Sequence, residues 1–282
     1  MTTNPAATFT PNLMQKLLGR NYKWWYFIIY NLKSQRAYFG DTIMWTLYGI
    51  FSILGSFFIW WLTTKSNGDF NTSEILTYLF IGNLISSLIT NWVQLDLGWM
   101  NRGGSISNLL ILPTSFIKYM YVKFIGRSML GNYPIQLFAY LLLSPLIKDY
   151  FIFPSSVANV FSILLFVPVA YSINFFLNFS FGCLTFWITE TDGANNFYGY
   201  FSTFLSGALI PLFLLFPFTG LGITFQPFAW LLHHPMQIYL GKYSPLETLY
   251  VFLGGIAWCV VLYFLAKWVF RMGLKRNESV GL

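Results

Sequence analysis

The sequence predicts an all-α integral membrane protein: six transmembrane helices, an N-terminal cytoplasmic interfacial helix, and a broken re-entrant segment between helices five and six. Three observations predict it. Residues 43–62, 75–95, 128–147, 157–188, 197–217 and 248–266 contain no Asp, Glu, Lys or Arg. Five are near the length of about 20 residues that crosses a hydrocarbon core about 30 Å thick, and 157–188 is overlong. Only 9% of the 282 residues are charged and 56% are hydrophobic, whereas a soluble domain carries about 25% charged residues. Finally, the cations are sorted between alternate connections. One side receives Lys16, Arg20, Lys23, Lys33, Arg36, Arg102, Lys118, Lys123, Arg127, Lys267, Arg271, Lys275 and Arg276, the other only Lys65, Lys148 and Lys242. Positive connections stay in the cytoplasm, so both termini are expected there.

The chain accordingly divides into a cytoplasmic N-terminal region (1–41), a transmembrane domain (42–270) and a cytoplasmic tail (271–282), with spans at about 43–62, 75–95, 119–147, 157–188, 197–217 and 247–268. Residues 13–39 are too basic to span. Trp24, Trp25, Tyr26 and Phe27 lie between Lys23 and Lys33, a mixture suited to a helix in the headgroup layer. The first span must direct insertion, because residues 1–12 lack the basic start and apolar run of a secretory signal.

The second span is polar for its place. Asn83, Ser87, Asn91 and Gln94 recur at i, i+4, i+8 and i+11 and would share one helical face. Such a face serves helix packing or a hydrated path. The connection that follows holds Arg102-Gly103-Gly104-Ser105, and residues 105–112 can form a short amphipathic helix ended by Pro113. With Ile106, Leu109 and Leu110 on one side it could dock on another protein or lie as an interfacial linker. Lys118, Lys123 and Arg127 would reach toward headgroups. The fourth span contains Pro168, which favours a kink or tilt. Glu190 and Asp192 read as a solvated turn. Residues 218–243 are apolar but interrupted by Gly220, Gly222, Pro227 and Pro235, which suits a segment packed against protein. His233 and His234 are expected at the interface, since neighbouring helical residues point apart and do not share a metal. Cys183 and Cys259 have neither redox nor metal spacing.

Several functions lose ground. The net charge of +7 is absorbed by the sorted connections, leaving no compact basic domain for nucleic acid; anionic lipids are the expected partners of these cations. There is no Gly-x-x-x-x-Gly-Lys-Ser/Thr phosphate loop and no His-Glu-x-x-His helix. The apolar stretches hold no carboxylate of the kind that ion-driven carriers use, although backbone carbonyls could still bind sodium.

The layout, the 102–113 loop, the 204–212 stretch with Gln226-Pro227-Phe228 and residues 235–241, and the tail 273–281 together resemble the membrane subunit of type-2 ATP-binding-cassette (ABC) exporters. The resemblance covers nearly the whole chain from about residue 13. It implies a transport subunit, not an enzyme, that pairs with a second copy or a related permease. ATP and Mg would be bound by separate ATPase partners, with no cofactor in this chain. It implies that Arg102, Ser105, Ile106, Leu109, Leu110 and Pro113 belong to the ATPase-coupling loop. Asn83, Ser87, Asn91 and Ser206 would line the pathway, and Pro211, Pro217, Pro227 and Pro235 would form an outer gate. It implies a bacterial plasma membrane and an amphiphilic, lipid-linked or glycan-type cargo. Two other readings compete: a lipid-modifying enzyme using His233 or His234, whose nearest carboxylate in sequence is Glu247, and an ion-coupled carrier.

Overall fold

A computed structural model describes residues 22–34, 39–66, 71–111, 113–127, 133–154, 156–188, 192–215 and 220–280. Among them the regular structure is helical, with no strand. Helix α1 spans Tyr22–Ser34, α2 Phe39–Ser66, α3 Thr72–Ile89, α4 Val93–Arg102, α5 Ile106–Leu110 and α6 Phe116–Phe124. Helix α7 spans Tyr133–Ile147, α8 Val157–Gly182, α9 Asp192–Ser206, α10 His233–Tyr239 and α11 Pro245–Val280. Residues 1–21 with Lys16 and Arg20, together with Arg36, Leu112, Glu190 and Pro217, lie outside the described residues.

Four helical stretches among the described residues, not six, are long and apolar enough to cross a membrane: Gly40–Thr63, Thr72–Arg102, Val157–Phe186 and Pro245–Arg276. The six-span expectation is therefore corrected. An apolar window specifies a dry environment, not an unbroken helix. Within the expected third span, 119–147, the described residues form the end of α6 to Phe124, a π turn at 125–127 and the 15-residue α7, while 128–132 lie outside the described residues. The expected fifth span, 197–217, stops where Gly207 takes φ 88°, a left-handed conformation that suits glycine and ends a helix.

Helix α8 is the central post. Its side chains Phe166, Ala170, Tyr171, Phe175 and Phe179 are buried against Leu97 of α4, Met120 and Phe124 of α6, and Ala266 and Phe270 of α11. Phe116 and Phe270 stack at 4.9 Å and 8° between ring planes. Hydrocarbon gives no hydrophobic gain for bringing helices together, so close approach at small residues is what remains available. A Cβ on Gly182 would lie 2.7 Å from Gln94 Cα, and one on Gly255 2.7 Å from Val169 Cγ1.

Helix α1 packs on α6. The Phe27 and Tyr119 rings meet at 5.0 Å, and Lys118 Nζ lies 4.9 Å above the Trp24 ring, leaving Trp25, Tyr26 and Tyr30 exposed. Lys123 and Arg127 do not simply reach for headgroups. Lys123 Nζ lies 2.6 Å and Arg127 Nη1 3.4 Å from the carboxylate of the buried Asp96, tying α6 to α4. The opposite end of the molecule, where α2 turns into α3, carries other cations. Lys242 pairs with Glu74 at 3.1 Å. Lys148 opens the turn Lys148–Tyr150, whose Tyr150 hydroxyl accepts from Trp61 Nε1 at 3.2 Å.

Candidate functional site

Between α2, α3, α8 and α9 lies a cavity of about 390 Å³ whose lining contains no carboxylate, Lys or Arg. Its polar wall follows from helical spacing. Helix α2 contributes Tyr48, Ser52 and Ser56 at i, i+4 and i+8, and α3 contributes Gly82, Ser86 and Thr90 at the same intervals, with Asn83 beside them. Helix α9 adds Ser202, Thr203 and Ser206. Four of these polar groups donate inside their own helix. Thr90 Oγ1 donates to the Ser86 carbonyl at 2.6 Å, Thr203 Oγ1 to Gly199 at 2.8 Å, Ser206 Oγ to Thr203 at 3.1 Å and Asn83 Nδ2 to Leu79 at 3.1 Å. A hydroxyl that donates inward keeps lone pairs to accept with. The cavity is thus a neutral surface rich in acceptors. At its edge the Tyr78 hydroxyl is fully buried with no hydrogen-bond partner, and a Cβ on Gly207 would lie 2.7 Å from it.

Of the residues expected to line a pathway, Asn83 and Ser206 line this cavity, and Ser87 and Asn91 lie outside its lining. The cavity's stripe on α3 is rotated by about one residue, roughly 100°, from the face through Asn83, Ser87 and Asn91. Ser87 donates to the Leu84 carbonyl at 2.8 Å, outside the lining. Asn91 lies past the end of α3, because Thr90 leaves the helix at ψ 134°. There Asn174 Nδ2 donates to the freed Ile89 carbonyl at 2.9 Å, and Asn178 Nδ2 donates to the Asn91 backbone and side-chain oxygens, both at 3.3 Å. Two asparagines of α8 therefore stand in for the missing helical bonds. Ser86 and Thr90 belong to the polar set of the second span, whereas Gly82, Ser52, Ser56, Ser202 and Thr203 carry no signal in the sequence beyond the i, i+4 spacing on α2.

At the Asp96 end, α4 leads into a turn at Gly103 and Gly104, the latter at φ 68°, and then the five-residue α5. Asn101 Nδ2 donates to the Thr185 carbonyl at 2.7 Å and fixes the root of this loop. Ile106 is buried and Leu109 half-buried, so they anchor α5 to the core. Arg102 and Pro113 are exposed, and Ser105 Oγ donates back to Met100 at 3.3 Å. Leu110 is 42% and Ile111 83% exposed. The loop therefore divides into an inward anchor and an outward apolar knuckle.

The broken segment is held by specific bonds. Pro211 precedes the short turn Leu212–Leu214, and Pro227 starts the turn Pro227–Trp230. Gln226 Nε2 donates to Leu205 at 2.7 Å, and Trp230 Nε1 donates to Val251 at 2.8 Å. Pro235 is buried in α10. None of these prolines lines the cavity; Leu231 and Leu232 do.

The histidines are buried within the protein, at 1% and 5% exposure. A carbonyl only accepts, so His234 Nε2 carries the proton donated to Thr224 at 3.0 Å, and Nδ1 accepts from the Tyr243 hydroxyl at 2.9 Å. Burial pushes His233 down to about 3, helped by its neighbour His234, and His234 down to about 4. Glu247 is engaged elsewhere: its Oε2 accepts from the Ser244 amide at 2.7 Å, and Ser244 Oγ accepts from the Glu247 amide at 3.3 Å. This is a capping box at the start of α11. Among the described residues no three of His, Cys, Asp and Glu gather to hold a metal, and Cys183 and Cys259 are free thiols.

A family model described as ABC-2 family transporter protein matches residues 44–281. Neither the comparison with curated proteins nor that with solved structures returned a match.

Proposed function

The chain belongs to the ABC-2 family of membrane transporter proteins, and from that premise we propose that it is the permease subunit of an ATP-driven exporter. Separate ATPase subunits bind ATP and Mg and supply the energy. A second copy or a related permease completes the pathway. The assembly sits in a bacterial plasma membrane with both termini in the cytoplasm, as the cation sorting favours.

The observation that carries this reading is α5. A short helix anchored through Ile106 and Leu109 presents Leu110 and Ile111 outward beside the exposed Arg102. Its root is fixed to the turn that follows α8 through Asn101 and to α6 through Asp96. A partner pressing on this knuckle pushes the packed helices themselves. Such a push drives a change of state only when the partner binds the two states unequally. The cavity between α2, α3 and α9 is the candidate stretch of pathway. Its neutral, acceptor-rich wall suits the uncharged polar part of an amphiphilic, lipid-linked or glycan-type cargo. His234 spends both ring nitrogens on Tyr243 and Thr224, and Glu247 is bound into its cap, so these two do not form an acid–base pair.

The test is recovery of the ATPase with the membrane subunit. L110D/I111D removes the apolar knuckle at two exposed positions and leaves the Ile106 anchor in place. Purified from membranes, this variant is expected to fold and to lose its ATPase partner. Equal ATPase recovery with wild type and variant would overturn the assignment of α5.

A further inference from the structure

On the far side of α3 from the polar cavity is a second one, and its chemistry is the opposite. This groove has a volume of about 510 Å³, within the range of about 300–1,000 Å³ usual for ligand sites. Its walls are Phe80, Ile81 and Leu84 of α3, Leu137, Tyr140 and Leu141 of α7, and the aromatic pair Phe151 and Phe153. The rings are locked edge to face: Phe80 meets Tyr140 at 5.8 Å and Phe151 at 6.3 Å, and Phe151 meets Phe153 at 4.9 Å.

The groove is built into the fold. Pro145 in α7 lacks the amide that would bond the Leu141 carbonyl, and Ser144 Oγ donates to that carbonyl at 2.8 Å instead. The one hydroxyl-bearing aliphatic side chain of the lining is thus committed to its own helix. The floor is pinned from two sides. Thr77 Oγ1 donates to the Tyr150 carbonyl at 3.2 Å and accepts from the Ile152 amide at 2.9 Å. The Tyr239 hydroxyl donates to the Ile152 carbonyl at 3.2 Å. A single charged side chain completes the lining: Lys148, exposed at the mouth, while its neighbour Asp149 is not part of it.

A long apolar trough with one cation at its rim has the chemistry of an acyl chain ending in an anion. We infer that the groove seats one acyl chain of an anionic phospholipid, with Lys148 holding the headgroup phosphate at the end where α2 turns into α3. Charge complementarity selects this occupant over an uncharged lipid, and the apolar walls select a lipid over free phosphate. The bound chain lies against the opposite face of the helix that lines the polar cavity, so its presence stiffens the cavity's back wall.

The test titrates phosphatidylglycerol and, separately, phosphatidylcholine into the purified, delipidated full chain in detergent, reading bound lipid by native mass spectrometry. Wild type is expected to prefer phosphatidylglycerol. K148Q is expected to weaken phosphatidylglycerol about fivefold, the share of one cation near a net anionic headgroup, and phosphatidylcholine, whose choline offsets its phosphate, by less. L141W fills the groove from its exposed rim and is expected to abolish the preference. The lipid-free melting midpoint of both variants is expected to match wild type, since both positions are exposed. Retained preference in L141W overturns the site. Equal weakening of both lipids by K148Q overturns the selection of an anionic headgroup, and free inorganic phosphate competing as well as the lipid overturns the acyl chain.

Discussion

Replacing Gly182 by alanine sets two effects against each other in one residue. In a helix interior the change from glycine to alanine is worth about 0.8–1.0 kcal/mol in favour of the helix. At Gly182 the added Cβ would stand 2.7 Å from Gln94 Cα and 2.9 Å from Leu97 Cδ1. The first contact is with backbone, which no rotamer change relieves. Overpacking of this kind costs about 1–3 kcal/mol, and a backbone clash belongs in the upper half of that range. The net expectation is a loss of about 1–2 kcal/mol. Gly199, exposed on α9 with nothing within 4 Å of its would-be Cβ, is the matched control. There the same substitution gains about 0.5–1 kcal/mol. The assay is unfolding of the full chain in mixed micelles by a denaturing detergent, with the midpoint followed by tryptophan fluorescence. Gly182→Ala is expected to unfold earlier than wild type and Gly199→Ala later. If Gly182→Ala proves as stable as Gly199→Ala, the close packing of α8 on α4 is wrong.

Two further expectations follow from buried charges and imidazoles. Asp96→Ala leaves Lys123 without its partner. Breaking a fully buried pair costs about 3–5 kcal/mol; with the Lys123 and Arg127 side chains 22% and 40% exposed, solvent reduces this to about 2–3 kcal/mol. Asp96→Asn, which keeps an acceptor, should lose less, and an unshifted unfolding midpoint for Asp96→Ala would rule out the pair as a tie between α4 and α6. Burial lowers both histidines from 6.5, to about 3 and about 4. The unfolded chain therefore binds more protons below pH 6.5, and this contribution is full above that pH and lost as pH falls toward 4. The midpoint of His234→Gln should depend less steeply on pH across this window than that of wild type; equal steepness would show His234 to be solvated.

How much of this was legible in the sequence depends on what each residue reports. The charge-free stretch 248–266 lies inside α11, Pro245–Val280, and 157–188 nearly coincides with the span Val157–Phe186, because both are apolar throughout. Helix α8 even runs through Pro168. The 197–217 stretch is just as apolar, yet its helix ends at Ser206. Gly207 signals its break only through a positive φ that composition does not reveal. The knuckle on α5 was legible as a helix before Pro113, but which of its apolar residues point inward was not. The polar cavity was half legible. Asn83 and Ser206 were named, whereas extending one helical face through Thr90 carried the reading to Ser87 and Asn91. Asp96 was invisible as a structural tie, since its partners lie 27 and 31 residues away.

The interruption between α3 and α4 has a mechanical consequence. Across residues 90–92 the chain is carried largely by amide groups of Asn174 and Asn178 reaching over from α8. Each such bond is worth about 1 kcal/mol net, so bending here disturbs little that is stiff. On either side are helices: α3 forms a cavity wall, and α4 runs to the turn that precedes the exposed knuckle. The stretch Thr72–Arg102 is thus two rods joined at a point held by α8. On the proposed coupling role, a push at Leu110 and Ile111 would reach this joint as a change of angle, tilting the wall that carries Ser86 without unwinding it.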